Sequence, residues 1–196
     1  MVPEGLMGLG QRRRQATAFT LTELMVTVAL IGILSAIALR VTGVEWRRGR
    51  VNAVAVELTG WLEAVRRAAL KGNPCEVTIH TSSAAAAGST VASAAVDPSV
   101  ASGAAIVNTC LNQDPLTITA VSSGSDRYAI SATPAVFTFT PRGTVVGLNP
   151  STGLEVRISL NNTPPMRCVQ ITSPLGLIRV GNDENGSGTC TYPGVF

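Results

Sequence analysis

"FTLTELMVTVALIGILSAIAL", residues 19–39, is an apolar stretch that contains one ionisable side chain, Glu23. At a rise of about 1.5 Å per helical residue, about 20 residues cross the roughly 30 Å hydrocarbon core of a bilayer. The stretch therefore predicts one membrane-spanning helix. A carboxylate inside such a helix is energetically costly, so Glu23 is a candidate functional residue. A carboxylate that snorkels to the membrane surface near the helix end is the alternative interpretation.

Basic residues predict the orientation of this span. Three consecutive arginines, residues 12–14, directly precede it, and segments rich in Lys and Arg stay on the cytoplasmic side of a membrane. The N-terminus is thus expected in the cytoplasm and the rest of the chain on the other side. A secretory signal cleaved after the Ala-Ile-Ala of residues 36–38 is the alternative, although the apolar region of such a signal normally covers only about 7 to 15 residues.

A second apolar pattern follows the predicted span. Apolar side chains recur at steps of three and four residues, which places them on one face of a helix: Val51, Val54, Leu58, Trp61, Leu62, Val65 and Ala69. No proline occurs between Phe19 and Leu70, and Gly72-Asn73-Pro74 then supplies helix-stop residues. We therefore expect a single helix with a membrane-spanning half, residues 19–39, and an amphipathic half, residues 40–72.

From residue 73 onward the pattern changes to short β-branched or alternating runs. Gly, Pro, Asn and Asp separate these runs, as is typical of antiparallel strands, and the predicted strands are residues 75–80, 104–110, 116–121, 135–140, 143–148, 154–160, 167–172 and 176–181. A turn is expected at Pro141-Arg142-Gly143. The predicted fold class is α+β, with the long N-terminal α-helix packed on an antiparallel β-sheet domain, residues 73–196.

One segment of this domain has a different composition. Residues 81–105 consist mostly of Ala, Ser and Gly and lack aromatic and large aliphatic side chains. Such a composition buries too little apolar area to offset the entropy lost on ordering. We expect a flexible, exposed loop here, and a short Ala-rich helix is the alternative.

All four cysteines lie downstream of the predicted span. An exported domain meets an oxidising compartment, where disulfides form and persist. We expect Cys75 to pair with Cys110 and Cys168 to pair with Cys190. Four cysteines allow three connectivities, and the sequence does not exclude the other two.

Charge and motif content disfavour two broad classes of function. The formal net charge is only +3, which disfavours a polybasic nucleic-acid-binding domain. The one histidine, His80, has no Cys, Asp or Glu at metal-ligand spacing, and the cysteines are too far apart in sequence for a typical metal site. The sequence contains no catalytic or phosphate-binding motif. We therefore expect no enzymatic activity, no metal and no cofactor.

The N-terminal features together resemble the precursors of type IV pilins and type II secretion pseudopilins. The shared features are a short basic leader, a Phe at the junction, an acid four residues later, a helix that continues past the apolar run and a small disulfide-bearing sheet domain. Two C-terminal segments, "FTFTPRGTV" (137–145) and "RCVQITSPLGLIRVG" (167–181), further resemble the GspH/FimT branch, which includes FimU-like minor pilins.

The resemblance implies a processing site and an assembly charge. A prepilin peptidase would cut between Ala18 and Phe19, remove the leader of residues 1–18 and methylate the new amine of Phe19. Ala18 stands where the family usually has Gly, and Met7 is an alternative start that would shorten the leader. Glu23 would be the counter-ion for the amine of a neighbouring subunit, because opposite charges attract strongly where the dielectric constant is low.

The resemblance also implies a function and partners. It suggests a minor pilin or pseudopilin that primes or tips a type IV pilus or a type II secretion pseudopilus, and that enters the filament by packing of its N-terminal helix. Its partners would be the prepilin peptidase, the bacterial inner membrane and other pilins. Before assembly the subunit would cross the inner membrane once, with its sheet domain in the periplasm.

A FimT-like DNA-binding minor pilin is the alternative function. Some members of that branch contact DNA phosphates through a Gly-Arg-x-Arg element near the C-terminus. This chain has Gly176-Leu177-Ile178-Arg179 at the matching place, so a leucine replaces the first arginine. Arg142, Arg167 and Arg179 are the candidate phosphate contacts. The chain has few aromatic residues to stack on bases, which disfavours nucleic acid as a partner.

Overall fold

The computed structural model describes residues 20–97, 99, 110, 115–119 and 126–193, and for residues 38–42 it describes the backbone only. The elements are α1 (Leu21–Ala69), β1 (Cys75–Ile79), β2 (Ser82–Ala85), β3 (Thr90–Val96), β4 (Leu116–Thr117), β5 (Tyr128–Thr133), β6 (Val136–Phe139), β7 (Val145–Val146), β8 (Leu154–Leu160), β9 (Thr163–Thr172) and β10 (Leu177–Asp183). The chain divides into two compact units between Thr42 and Gly43. It is an α+β protein with an N-terminal helix and a C-terminal antiparallel β-sheet domain.

The helix α1 has sequence signals at both of its ends. The hydroxyl Oγ1 of Thr20 accepts a hydrogen bond from the backbone N–H of Glu23 at 3.3 Å, which caps the first turn. Arg66 and Arg67 lie in the last turn, where cations interact favourably with the helix dipole. The helix ends at Ala69 and not at residue 72. The chain leaves the helix through a turn in which Gly72 has a φ of 126°, a value that L side chains rarely adopt.

The described strands form two five-stranded sheets, in which every pairing is antiparallel. The first sheet has the order β4-β3-β1-β6-β7 and the second has the order β10-β9-β8-β5-β2. The turn expected at residues 141–143 connects β6 to β7. The N–H of Gly143 donates to the carbonyl oxygen of Thr140 at 2.9 Å.

The apolar face predicted on the helix is buried. Val51, Leu58, Leu62 and Val65 have no exposed surface, and the whole predicted set belongs to one cluster of buried hydrophobic residues. The same cluster contains side chains from both sheets, among them Phe137, Phe139, Leu154, Val156, Ile158 and Ile171. The amphipathic pattern of residues 51–69 thus corresponds to the buried face of the helix.

Residues 81–97, the described part of the segment 81–105 apart from residue 99, differ from the flexible loop that we expected. The segment contains β2 and β3, and β3 pairs with β1 from Cys75 opposite Val96 to Ile79 opposite Ala92. Val91 and Ala92 are completely buried. Small side chains are sufficient here because the order comes from the backbone hydrogen bonds of the ladder with β1, which local composition does not reveal. Residues 98 and 100–105 lie outside the described part.

One further difference and one untested prediction concern strands. The sequence analysis did not predict β5, although Tyr128, Ile130 and Thr133 are of types that are enriched in strands. β5 lies between β8 and β2 in the second sheet, where both neighbours pair with it. The strand predicted at 104–110 falls outside the described residues except for Cys110.

Candidate assembly site

Glu23 lies in the first turn of α1, and the residue is exposed. Thr20 and Glu23 have the Thr-x-x-Glu spacing of a capping box, in which Glu or Gln is favoured at this position. The positive end of the helix dipole also favours an acid in the first turn. The structure therefore adds a local reason for the acid to the assembly role that the resemblance implies. Ala18 and Phe19, the predicted cleavage residues, lie outside the described part of the chain.

The N-terminal part of α1, from Leu21 to Ile37, exposes its large apolar side chains on every face. More than half of the surface is exposed at each of Leu21, Leu24, Met25, Val26, Val28, Leu30, Ile31, Ile33, Leu34 and Ile37. A helix that is apolar on all faces requires an apolar environment. Within the part of the chain whose side chains are described, no helix is long and apolar enough to cross a membrane. Phe19 and residues 38–39 of the predicted span lie outside that part.

Glycines interrupt this helix at four places. A Cβ atom built on Gly32, Gly43, Gly49 or Gly60 would meet nothing within 4 Å. Glycine in a helix interior costs up to about 1 kcal/mol relative to alanine, and the described part of this chain supplies no steric reason for it. Small residues on an exposed helix face allow a second helix to approach closely.

The first turn of the helix and its apolar sequence lie within a recognisable motif. Residues 13–39 match the family model described as the prokaryotic N-terminal methylation motif. The chain carries a type IV prepilin-like N-terminus. No curated protein and no solved structure matches the chain, so the motif is the part of the sequence for which a relationship is shown.

The methylation motif indicates the class of protein, its processing and its assembly. It suggests a pilin or pseudopilin, a structural and non-enzymatic protein. It implies processing by a prepilin peptidase and assembly with other pilins. It also implies a subunit that is anchored in the membrane first and becomes part of a filament later.

In the second compact unit, Glu184 joins the helix to the second sheet. Its Oε2 accepts hydrogen bonds from Nε (3.1 Å) and Nη2 (2.8 Å) of Arg48, and its Oε1 accepts one from Nη1 of Arg167 (2.9 Å). Arg167 also donates from Nε to Oδ1 of Asn52 at 3.3 Å. Hydrogen bonds from Arg167, Asn182 and Arg48, in that order, lower the pKa of Glu184 from 4.5 to about 2. The carboxylate is therefore ionised in all but strong acid.

Of the three arginines considered for DNA contact, Arg167 and Arg179 lie on opposite faces of the second sheet. Arg167 is committed to Glu184, and only 13% of its side chain is exposed. Arg179 of β10 pairs with Gln170 of β9, and the β9–β10 ladder is uninterrupted. Gln170 is an odd number of residues from Arg167 on β9. An odd spacing places the two arginines on opposite faces of the sheet. Arg142 is exposed in the turn between β6 and β7, which belongs to the first sheet.

The cysteines form two disulfides in the structure. Cys75 is joined to Cys110 with their Cα atoms 5.5 Å apart, and Cys168 is joined to Cys190 with their Cα atoms 6.3 Å apart. The first bond attaches residue 110 to the start of β1. The second attaches the C-terminal tail to β9. These are the pairs that we expected from the sequence.

The histidine has an ordinary structural contact. Nε2 of His80 lies 3.0 Å from Oγ of Ser93, across the pairing of β1 with β3. Among the described residues, no group of three or more His, Cys, Asp or Glu side chains is arranged to hold a metal ion.

Two elements of the site were missed by sequence reasoning. Thr20 was not identified as a helix cap, although the Thr-x-x-Glu spacing was readable in the sequence. Glu184 was not identified from the sequence, because its pairing with Arg48 and Arg167 carries no local sequence signal. These partners are separated by 136 and 17 positions in the chain.

Proposed function

We propose that this chain is the precursor of a minor pilin or pseudopilin of the GspH/FimT type, a structural subunit that primes or tips a type IV pilus or a type II secretion pseudopilus. The observation that carries the proposal is the beginning of α1. It is apolar and exposed on every face, has one acid in its first turn, and lies within the methylation motif. In this proposal residues 1–18 are the leader, 19–39 the span, 40–72 the amphipathic helix with the turn that ends it, and 73–196 the β-rich domain on which that helix packs.

Cleavage between Ala18 and Phe19 would create a charge that Glu23 can balance. The new amine of Phe19 would lie directly before Thr20, at the positive end of the helix dipole, where a cation is disfavoured. In an apolar surrounding such an amine needs a counter-ion, because an unpaired buried charge costs several kcal/mol. The Glu23 carboxylate of a neighbouring subunit meets this need. It draws the two helices into one register.

The surface of the helix supports assembly by helix packing. Its large apolar side chains are uncovered within the described chain, and its four glycines are open to approach by another helix. Packing against the helices of other subunits would replace the membrane as the apolar surrounding of residues 19–39. The subunit could then move from the bilayer into a filament without exposing these side chains to water.

The proposed location is the inner membrane, with a cytoplasmic N-terminus and a periplasmic β-rich domain. The arginines at residues 12–14 support this orientation through their excess positive charge. The two disulfides support it independently, since both are in the β-rich domain and the bacterial periplasm is oxidising.

Glu23→Gln tests the proposal, because glutamine also serves at this position of a capping box and only the charge is lost. We expect the variant to be cleaved and to remain in the membrane, with N-methyl-Phe19 as its first residue by mass spectrometry. We expect it to be excluded from filaments and to lose filament-dependent activity, such as twitching or exoprotein secretion.

Thr20→Ala is the matched control, since it removes the cap and keeps the carboxylate. It should assemble, with some loss of helix stability. Normal filament incorporation of Glu23→Gln would show that the acid acts only as a cap. A wild-type N-terminus at Leu39 would show that the segment is a secretory signal.

A further inference from the structure

An exposed tryptophan lies near the start of the second compact unit. Trp46 exposes 44% of its surface, and the neighbouring Val44 exposes 40%. The guanidinium of Arg50, one helical turn further on, lies 4.9 Å from the centre of the Trp46 ring. Together, the indole ring supplies an apolar surface and the guanidinium group supplies a positive charge beside it.

Arg47 and Arg48, which lie between Trp46 and Arg50, donate hydrogen bonds to the β-sheet domain. Nη1 of Arg47 donates to Oγ1 of Thr163 at 3.3 Å, and Nη2 of Arg48 donates to Oε2 of Glu184 at 2.8 Å. Both bonds tie this turn of α1 to the β-sheet domain. Arg48 is already neutralised by its carboxylate partners. Arg50 has no ion pair among the described residues, so its charge remains available.

The order of these residues in the sequence matches the chemistry of a membrane surface. Trp46 follows Leu39, the last residue of the predicted span, by about two helical turns in the sequence. Tryptophan is enriched where hydrocarbon meets headgroups, and arginine side chains at that level bind lipid phosphates. We propose that Trp46 and Arg50 form a binding site for anionic lipid headgroups on the periplasmic side of the inner membrane. This inference rests on the proposed function, which places residues 19–39 in that membrane.

The site gives the membrane-resident subunit a second attachment besides its span. The ring occupies the interface between headgroups and acyl chains, and Arg50 pairs with a phosphate there. A lipid surface fits better than a protein partner because Trp46 follows the predicted span by only about two helical turns of sequence, and this short connection keeps the ring close to the headgroups. Assembly into a filament would require the subunit to release this contact.

The full-length chain, reconstituted into vesicles of phosphatidylcholine and phosphatidylglycerol, provides the test. The chain has two tryptophans, and the other one, Trp61, is buried in the domain core. The difference in emission between wild type and Trp46→Phe therefore reports Trp46 without any change to the core. We expect this difference signal to be quenched by phosphatidylglycerol brominated near the top of its acyl chains. We expect it to be protected from acrylamide in the water.

Arg50→Gln separates the two parts of the site. In this variant the ring remains, and the preference of the quenching for brominated phosphatidylglycerol over brominated phosphatidylcholine should fall about fivefold, the usual contribution of one basic residue near a charged membrane. Arg67→Gln, in the last turn of the same helix, is the matched control and should leave the preference unchanged.

Flotation of the vesicles on a density gradient keeps the two proposals distinguishable. A chain that fails to float with the vesicles contradicts the proposed membrane span. A chain that floats while Trp46 is quenched by acrylamide and not by brominated lipid contradicts the headgroup site alone. Protection of Trp46 from both quenchers would show that a second protein copy covers it, and this too would overturn the inference.

Discussion

Glu184→Gln should destabilise the β-rich domain at neutral pH. The Glu184 carboxylate accepts hydrogen bonds from Arg48 and Arg167, and these contacts lower its pKa from 4.5 to about 2. At about 1.4 kcal/mol per pKa unit, the full shift would correspond to about 3 kcal/mol of folding free energy. One third of the Glu184 side chain is exposed, so solvent screening reduces the expected loss to about 1–2 kcal/mol.

The dependence on pH follows from the direction of the shift. A lowered pKa means that the charged carboxylate stabilises the folded state above the unfolded value near 4.5, and that this stabilisation disappears as the pH falls toward about 2. Urea unfolding of the chain, followed by tryptophan emission, should thus show a difference between wild type and Glu184→Gln at neutral pH that shrinks in acid.

Glu45→Gln is the control for this prediction. Glu45 also pairs with Arg48, but 57% of its side chain is exposed, and such surface pairs contribute only about 0–1 kcal/mol. A loss in Glu45→Gln equal to that in Glu184→Gln would refute the assigned role of Glu184. A Glu184→Gln difference that stays constant from neutral pH into acid would refute it as well.

Three further predictions concern the helix surface, the disulfides and DNA. Gly60→Ala should stabilise the helix by up to about 1 kcal/mol, because nothing in the described chain contacts a Cβ there. Gly60→Leu should fold normally and lower filament incorporation. Normal incorporation of the leucine variant would contradict helix packing at this position. Peptide mapping without reductant should recover the two disulfides of the structure, and a peptide joining Cys75 to Cys168 would refute that pairing. Duplex DNA should bind weakly at physiological salt, because Arg167 is paired with Glu184 and cannot add a phosphate contact to those of Arg142 and Arg179. Tight, salt-sensitive binding that is lost in Arg179→Ala would contradict this prediction.

Much of the helix was predictable from local sequence. The spacing of Val51, Leu58 and Val65 indicated which face is buried, and Gly72-Asn73-Pro74 indicated where the helix stops. Such features depend on neighbours three or four residues apart, and a short window of sequence contains all of them. For the same reason the methylation motif is readable without a structure, since its apolar run and its acid lie within residues 13–39.

Long-range pairing was decided by the tertiary structure alone. Residues 81–105 have the composition of a loop, yet β3 is ordered because β1 offers it a complete ladder of backbone hydrogen bonds. The separation of the strands into two sheets likewise depends on partners far apart in the chain.

The role of each charged residue shows the same division. The sequence alone determined that Glu23 is an acid within an apolar helix, because both the charge and its surroundings are local. Only the tertiary structure shows that Arg167 donates its hydrogen bond to Glu184 and is not free to bind a phosphate, because the two side chains meet only when β9 and β10 pair. A side chain's contacts depend on distances in space, and distances in sequence determine these only within a turn or two of regular structure.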